Sequence, residues 1–415
     1  MSCVELTQVH LERIKRLDAQ LSCVVTLCAD RALAQARKLD EELAGGAWRG
    51  WLHGLPWGAK ELLSTRGIRT TYGAGPFKDQ TLDLDATVVQ RLDPAGAVLI
   101  AKLTLGELAM DDEWFGGTTK NPRKLAQGSS GYSAGPARAT AAGCVVFALG
   151  SETCGSIVSP SARCGVSSIR PTYGLVSRHG AMALSWSMDK LGTMARSMPD
   201  AAIVQEAIAG PDELEEETLA FDFADSGAQS VKGWRVGYVK SGWGDAARES
   251  EALDPLRALG VELVKVPLPT LPSSELMLIL MAEAAAAFDE LTRSNADDEL
   301  RRQGSGDWPN LLRQARVISA VEYIRANRVR RQLAESYVNL FATLDVLVPP
   351  TTSGPLLVGL NLSGHPTVCV PSAQREDGTP RSLAFSGRHF EEARLVAIAD
   401  AWQRATGFHL AHPKL

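Results

Sequence analysis

The sequence lacks the patterns that mark metal-binding and membrane proteins. Its seven cysteines and seven histidines contain no CxxC pair, no zinc-finger spacing and no HExxH motif. No run of about 18 apolar residues occurs, so no membrane span is expected, and the N-terminus has no apolar signal-peptide region. We therefore predict a soluble cytoplasmic protein whose cysteines are free thiols in a reducing compartment.

Charge and composition exclude further classes. The chain has 415 residues, with 43 Lys and Arg against 48 Asp and Glu, a net charge of −5. A hydrophobic fraction of 45% and a charged fraction of 22% are typical of globular proteins and exclude collagen-like, coiled-coil and disordered chains. The small acidic excess argues against nucleic-acid binding as the main function. The length alone allows one large core or two to three domains.

Helical and strand-like patterns alternate along the chain. The patterns predict helices at 4–18, 29–44, about 84–93, 273–298, 308–342 and 390–405, and strands within 51–63, 97–103, 234–240, 344–350 and 366–371. This alternation predicts an α/β sheet with helices on both faces.

Residues 127–176 have an unusual composition, rich in Gly, Ala, Ser and Thr between short apolar runs. A flexible linker would lack those runs, so the segment indicates backbone packed tightly against backbone. Within it we predict a buried, Ala-rich helix at 133–148 and a sharp loop at 151–156. Composition alone leaves open a close-packed core without chemistry. The acidic segment 211–230 predicts a surface connection.

Three features in the first half carry candidate chemistry. Lys60 directly follows an apolar, strand-like run, where burial would lower its pKa and permit a neutral amine base; the alternative is a solvated surface lysine. A Ser- and Gly-rich turn covers 128–135. In the loop around 151–156, Gly155 precedes Ser156, and backbone N–H groups there could form an oxyanion hole.

Together these motifs resemble the amidase signature family, and in particular its bacterial amidase and urethanase-like members. The resemblance rests on Lys60, Gly128-Ser129-Ser130-Gly131, Glu152-Thr153-Cys154-Gly155-Ser156-Ile157, Cys164-Gly165 and the segments 85–109, 168–192 and 362–371. It implies an α/β fold with a single amidase-signature domain over 1–415, built on a large twisted mixed β-sheet flanked by α-helices on both faces. The catalytic core would cover about 50–200, a variable substrate-pocket region about 210–345, and C-terminal strands and a helix 346–415.

The resemblance also implies a Ser–cis-Ser–Lys mechanism. Lys60 would be the base, Ser156 the nucleophile that forms an acyl-enzyme, and a second serine with a cis peptide bond the proton relay between them. The backbone N–H groups of Thr153, Cys154, Gly155 and Ser156 would hold the oxyanion. No metal and no organic cofactor are needed. Asp189 is predicted to hold a loop near the site, and Arg170 to form a buried ion pair.

One position departs from the family pattern. Counting back without gaps from 147–150 and 141–143 places the paired serines of the family on Tyr132 and Ser133, so Tyr132 fills the relay slot. The alternative register aligns Ser129 and Ser130 and needs a three-residue insertion. A phenol oxygen lies well beyond the reach of a serine hydroxyl. Either Ser133, Ser129 or Ser130 substitutes, or Tyr132 forms a rearranged relay, or the chain is inactive. Our hypothesis is a catalytic scaffold that Tyr132 impairs.

The resemblance implies hydrolysis of amide-type C–N bonds in aryl or alkyl amides, extends to carbamates such as urethanes, and implies a side esterase activity. Trp114, Phe115 and Gly131 are assigned to substrate binding. We predict a monomer or homodimer that takes a small-molecule amide or carbamate and binds neither nucleic acid nor membrane. Two alternatives stay open: a subunit of a glutamine-dependent tRNA amidotransferase complex, and a non-catalytic binding protein.

Overall fold

The fold is described from a computed structural model that covers residues 1–128, 132–221, 223, 229–239, 242–243, 246–270, 272–273, 275–349 and 354–415. The strands in these ranges are β1 (Val24–Leu27), β2 (Pro56–Lys60), β3 (Val98–Leu103), β4 (Glu113–Trp114), β5 (Gly117–Thr118), β6 (Lys120–Asn121), β7 (Lys124–Gly128), β8 (Phe147–Glu152), β9 (Ser167–Arg170), β10 (Lys190–Ala195), β11 (Arg235–Tyr238), β12 (Glu262–Lys265), β13 (Val346–Val348), β14 (Thr367–Gln374) and β15 (Pro380–Ser386).

The α-helices of the same ranges surround these strands. They are α1 (Cys3–Leu21), α2 (Ala29–Ala44), α3 (Thr87–Leu92), α4 (Ala134–Ala141), α5 (Val158–Cys164), α6 (Met198–Ile208), α7 (Ala246–Ala258), α8 (Leu278–Ala287), α9 (Asp289–Arg293), α10 (Trp308–Ala315), α11 (Ala320–Phe341), α12 (Pro355–Leu362) and α13 (Glu392–Thr406).

One mixed sheet of eleven strands organises the molecule, in the order β1-β3-β2-β8-β10-β9-β14-β15-β13-β11-β12. β2 runs parallel to both β3 and β8, and β11 runs parallel to both β12 and β13. The strands from β8 through β10, β9 and β14 to β15 pair antiparallel. The predicted large mixed sheet is confirmed.

Helices cover both faces of this sheet, as predicted, and β3 explains why its sequence is apolar throughout. Val98 and Ile100 pack into a cluster with α1 and α2, whereas Leu99 packs into the larger cluster on the other face. Alternate residues of a strand point to opposite faces, so a strand buried on both sides reads as a nearly continuous apolar run.

The predicted helix at 133–148 is wrong in its second half. The helix α4 ends at Ala141, Gly143 takes a positive φ of 66°, and β8 begins at Phe147. A glycine in the left-handed conformation ends a helix at little steric cost. The long helices predicted at 273–298 and 308–342 are each interrupted, the second between Ala315 and Ala320, where Ser319 caps α11 by accepting from Glu322 N.

Candidate functional site

Lys60 lies at the end of β2 and is fully buried. Because β2 runs parallel to β8, the ends of the two strands lie side by side. The Lys60 Nζ atom is 2.8 Å from Ser151 Oγ on β8 and 2.9 Å from Ser133 Oγ. Burial lowers the pKa of Lys60 to about 7, and the carboxylates of Asp189 and Glu152 oppose this shift only in part.

Ser133 directly precedes α4 and completes a small network of hydroxyl groups. Its Oγ donates to Ser151 O at 3.0 Å and accepts from Ser151 N at 3.3 Å. The close approach of α4 to the sheet depends on Gly135, where a Cβ atom would lie 2.4 Å from Thr104 N. The small residues at the start of α4 thus bring Ser133 within reach of the buried amine.

Tyr132 does not join this network. Its ring is half-buried against the main core, and burial raises the pKa of its phenol. The hydrogen bonds that Lys60 forms with described residues end on Ser133 and Ser151, and none ends on Tyr132. The described residues contain no cis peptide bond. Ser129, Ser130 and Gly131 lie outside the described residues.

Glu152 shapes the loop that follows β8. Its Oε2 accepts hydrogen bonds from Ile157 N at 2.8 Å and from Val158 N at 2.9 Å. Its Oε1 is 3.0 Å from Arg170 Nη1, and both side chains of this ion pair are fully buried. Although burial alone would raise it, the pKa of Glu152 is lowered by Arg170 and by these N–H groups. The carboxylate therefore stays charged and holds the loop in a tight turn.

The four residues inside this turn carry unused backbone donors. Within the described ranges, the backbone N–H groups of Thr153, Cys154, Gly155 and Ser156 donate no hydrogen bond. Gly155 has a φ of 111°, which favours glycine. The Ser156 side chain is buried, with 5% exposed. This arrangement offers a nucleophile next to several N–H groups that can receive negative charge on an oxygen atom.

Asp189 fixes the start of the same loop. Its Oδ1 accepts from Thr153 Oγ1 at 2.5 Å, and its Oδ2 accepts from Leu184 N at 2.8 Å and Ser185 N at 3.0 Å. The next residue, Lys190, is the direct cross-strand partner of Glu152. Asp189 thus connects the loop after β8 to the segment before β10.

A cavity of about 510 Å³ adjoins these groups. Ser151, Thr153, Asp189 and Trp186 are among the residues that line it. The lining also carries charge: Arg178 forms ion pairs with Glu215 and Glu217, and all three residues line the cavity together with Glu216. Part of the acidic segment predicted to be a surface connection therefore bounds the cavity.

Trp114 and Phe115 lie elsewhere. They belong to the β4–β5 hairpin, with ring centroids 4.9 Å apart, and neither lines the 510 Å³ cavity.

The part of the chain that the structure describes contains no group of three or more metal-ligating side chains arranged to hold an ion. None of its helices has the length and apolar character needed to cross a membrane.

The comparison with known families gives the context of this geometry. Residues 5–358 match the family model described as Amidase. The chain is a member of the amidase signature family. It is therefore an amidase-family hydrolase, a class that acts on C–N bonds.

Individual relatives share the whole length of this amidase. A glutamyl-tRNA(Gln) amidotransferase subunit of Thermosynechococcus vestitus is 32% identical, over 100% of this chain and 97% of its own. A peptide amidase solved with the competitive inhibitor chymostatin superimposes with a TM-score of 0.89 at 30% identity, covering 100% and 96% of the two chains. The solved glutamyl-tRNA(Gln) amidotransferase subunit of Thermotoga maritima gives 0.79 at 27% identity, covering 100% and 95%.

These relatives correct one prediction. We expected a monomer or homodimer with a small-molecule substrate and no nucleic acid. The curated relatives are named as one subunit of an amidotransferase, and the name includes a transfer RNA. This chain is similar to such subunits over its full length. The expectation of a monomer or homodimer without nucleic acid is therefore wrong.

Sequence reasoning missed Ser151, whose hydroxyl lies nearest to the Lys60 amine. The signal that could have identified it is the polar pair Ser151-Glu152 at the carboxyl end of an apolar run, 147–150. Polar residues at the carboxyl ends of neighbouring parallel strands meet at one edge of a sheet. The pairing of β2 with β8 is what places Ser151 beside Lys60.

Proposed function

We propose that this amidase breaks the C–N bond of a primary carboxamide through an acyl-enzyme on Ser156, and that it does so as the hydrolytic subunit of a glutamine-dependent amidotransferase. Relatives named as subunits of glutamyl-tRNA(Gln) amidotransferase match it from end to end, which supports this assignment. An enzyme that takes nitrogen from glutamine must first cleave the side-chain amide.

The observation that carries the chemistry is the buried amine of Lys60 between two serine hydroxyls. With a pKa of about 7, a large fraction of this amine is neutral just above neutral pH, where an ordinary lysine is charged. A neutral amine 2.9 Å from Ser133 Oγ can accept a proton from that hydroxyl. Such tuning of a base toward the working pH is how general base catalysis becomes effective.

In the proposed reaction, Ser156 Oγ attacks the carbonyl carbon and gives its proton to Ser133 Oγ, which passes its own proton to Lys60 Nζ. The carbonyl oxygen becomes an oxyanion and is held by the N–H groups of residues 153–156. Collapse of the intermediate breaks the C–N bond, and the proton returns from Lys60 to the leaving nitrogen, which departs as ammonia. Water then attacks the ester along the same route, releasing a carboxylic acid and Ser156.

The charged wall of the cavity supports an amino-acid amide as substrate. Arg178 and the carboxylates of Glu215, Glu216 and Glu217 line the same cavity as Ser151 and Thr153. A zwitterion such as glutamine carries an ammonium and a carboxylate group, and a wall that bears both signs of charge can meet both.

A second candidate is peptide-amidase activity. The backbone superimposes more closely on the solved peptide amidase than on the solved Thermotoga maritima protein, with TM-scores of 0.89 and 0.79. In that case the substrate would be a peptide amide. Aryl amides, alkyl amides and carbamates are tested as substrates in the same experiment, because all of them would form an acyl-enzyme and release an amine or ammonia.

The test is release of ammonia or amine from glutamine, a C-terminally amidated dipeptide, benzamide, propionamide and a phenyl carbamate. It is run with the chain alone and with proteins that co-purify with it from its source. We expect glutamine to be the best substrate and the co-purified proteins to raise its turnover. The amidotransferase assignment fails if glutamine is not hydrolysed under either condition, and preference for the dipeptide amide supports the second candidate.

Labelling with a fluorophosphonate probe tests the nucleophile separately. We expect one modified residue, Ser156, and no modification of Ser156→Ala. A Ser161→Ala variant is the matched control, since Ser161 is a buried serine in the neighbouring helix α5. Equal labelling of wild type and Ser156→Ala would refute the acyl-enzyme on Ser156.

A further inference from the structure

We propose that Glu283 is a positioning residue for the oxyanion-binding loop and that it acts through Ser185, Ser187 and Asp189. The proposal rests on the proposed function, because it assumes that the N–H groups of residues 153–156 receive the oxyanion. Glu283 lies on α8, in the region predicted to determine the substrate pocket rather than the catalytic core.

The carboxylate of Glu283 accepts four hydrogen bonds. Its Oε2 accepts from Ser185 Oγ at 2.5 Å and from Ser187 N at 3.0 Å, and its Oε1 accepts from Ser187 Oγ and Tyr323 Oη, both at 2.7 Å. Burial acts to raise the pKa of this carboxyl, yet the bonds from Ser185, Tyr323 and Ser187 lower it below its usual range. Glu283 is therefore a charged acceptor. It fixes the segment 185–187 through the three hydrogen bonds that Ser185 and Ser187 donate to it.

A second helix holds the same segment. Arg330 on α11 donates through Nη1 to Ser187 Oγ at 2.7 Å and through Nη2 to Ser187 O at 2.6 Å. Its Nε donates to Leu362 O at 2.5 Å. Ser187 is thus fixed by an anion from α8 and a cation from α11, and charge-assisted bonds of this kind are stronger than neutral ones.

The fixed segment leads directly to the catalytic loop. Asp189 N donates to Ser185 O at 2.9 Å, and Asp189 Oδ2 accepts from Ser185 N at 3.0 Å, so the two residues close one turn. The other oxygen of Asp189 accepts from Thr153 Oγ1 at 2.5 Å. A displacement of Ser185 therefore moves Asp189, and with it the first residue of the oxyanion-binding loop.

The contacts connect two regions that the sequence separates widely. Ser185 and Glu283 are 98 residues apart. Leu184, Trp186 and Asp189, which lie within or close to the segment 185–187, also line the cavity. The helices α8 and α11 thus support the wall on which substrate would rest and the loop on which the oxyanion would form.

The experiment compares Glu283→Gln with Glu290→Gln. The second variant makes the same chemical change at an exposed residue of the next helix, α9, and we expect it to leave activity unchanged. Loss of a whole oxyanion donor costs about 10²–10³ in rate. We expect displacement of the loop by Glu283→Gln to lower kcat about 10–100-fold with little change in KM, because the oxyanion exists only in the transition state. The kcat and KM values are measured on the best substrate of the wild type, with thermal unfolding recorded for each variant.

Ser185→Ala provides a second variant that removes one donor and leaves the carboxylate, in case Glu283→Gln folds poorly. It should lower kcat in the same direction by a smaller factor. A rise in KM with kcat unchanged, or equal kinetics for Glu283→Gln and Glu290→Gln, would overturn the positioning role. Failure of the proposed function has a different signature, since the wild type itself would then show no hydrolysis and no label on Ser156.

Discussion

The Nζ atom of Lys60 lies 2.9 Å from Ser133 Oγ, although 73 residues separate them in the chain. The neighbouring residue, Tyr132, occupies the slot in which the ungapped alignment expects the relay serine, yet it has no bond to Lys60 among the described residues. In the mechanism we propose, the proton relay therefore falls on Ser133, one position after Tyr132, and this leads to the first prediction.

Ser133→Ala should lower the rate of amide hydrolysis about 10²–10³-fold, since general acid–base groups contribute factors of this size. Tyr132→Phe should retain the rate within about twofold, because the phenol oxygen takes no part in the transfer. The measurement is kcat/KM on the best substrate. A Tyr132→Ser variant that gains activity would support instead the hypothesis that Tyr132 impairs the site, and a large loss in Tyr132→Phe would make the phenol itself functional.

Activity should depend on pH through the amine of Lys60. Its pKa is lowered to about 7, and only the neutral form can accept a proton. The value of kcat/KM should therefore fall about tenfold for each pH unit below 7 and level off above pH 8. A pH–rate profile between pH 5 and 9 measures this. A midpoint near pH 9 or higher would mean that burial does not lower the pKa of this amine, and a rate that does not fall below pH 7 would mean that the amine is not the base.

The same lysine should make the folded protein more stable as the pH rises. Its pKa is 10.5 when unperturbed and about 7 in the fold, so between these values the unfolded chain binds more protons than the folded chain. The free energy of unfolding should therefore rise with pH from about 7 to about 10. Lys60→Met removes this burial cost, and we expect it to raise Tm at pH 7 by about 2–4 °C. The measurement is thermal unfolding of the wild type and Lys60→Met at pH 7 and pH 9. If the difference in Tm between the two proteins is no smaller at pH 9 than at pH 7, the prediction is wrong.

Arg170→Met should destabilise the fold strongly. The variant leaves the buried carboxylate of Glu152 without its cation, and breaking a buried ion pair costs about 3–5 kcal/mol. Urea unfolding measures the loss. The control is Arg331→Met, whose partner Glu335 is 61% exposed, and this change should cost less than about 1 kcal/mol. Equal losses in both variants would show that Arg170 does not stabilise the loop through its charge.

Arg178→Ala should weaken substrate binding more than it slows the chemical step. Arg178 holds Glu215 and Glu217 against the cavity, so its removal frees one wall while the network around Lys60 stays in place. We expect KM to rise about tenfold, which corresponds to about 1.4 kcal/mol, with kcat within about threefold. The measurement is steady-state kinetics of the wild type and Arg178→Ala. The control is Arg257→Ala, which removes an exposed ion pair. A fall in kcat alone would contradict the assignment.

The sequence predicted five of the eleven strands of the sheet, β2, β3, β11, β13 and β14, because these lie in short apolar runs next to glycine or proline. β2 and β3 follow this rule, and the structure places both fully inside the fold. The helix at 133–148 was extended too far because apolar sequence continues past Gly143 to 145–148. The break before α11 had a visible signal, Ser319 followed three residues later by Glu322, which is the pattern of a helix N-cap.

The site was less predictable than the fold. Lys60 and Ser156 stand out by motif, and they stay predictions until the labelling and kinetic tests are done. Ser151 had a local signal as a polar residue at the end of an apolar run, but its place beside Lys60 depends on the pairing of β2 with β8. Glu283 could not be predicted, because its role depends on which helix packs on the segment before β10. Contacts of this kind join residues that are far apart in the chain, and no local pattern records them.

The ion pair of Glu152 with Arg170 has a practical meaning for redesign. The pair holds the loop that follows β8 from within the sheet, whereas Ala181, Met182 and Leu214 line the cavity and take no part in this ion pair. A mutant library confined to these three positions could therefore change which substrates enter and leave the support of the loop untouched. Substitution of Glu152 would instead remove the carboxylate that holds the loop to Arg170 and to the N–H groups of Ile157 and Val158.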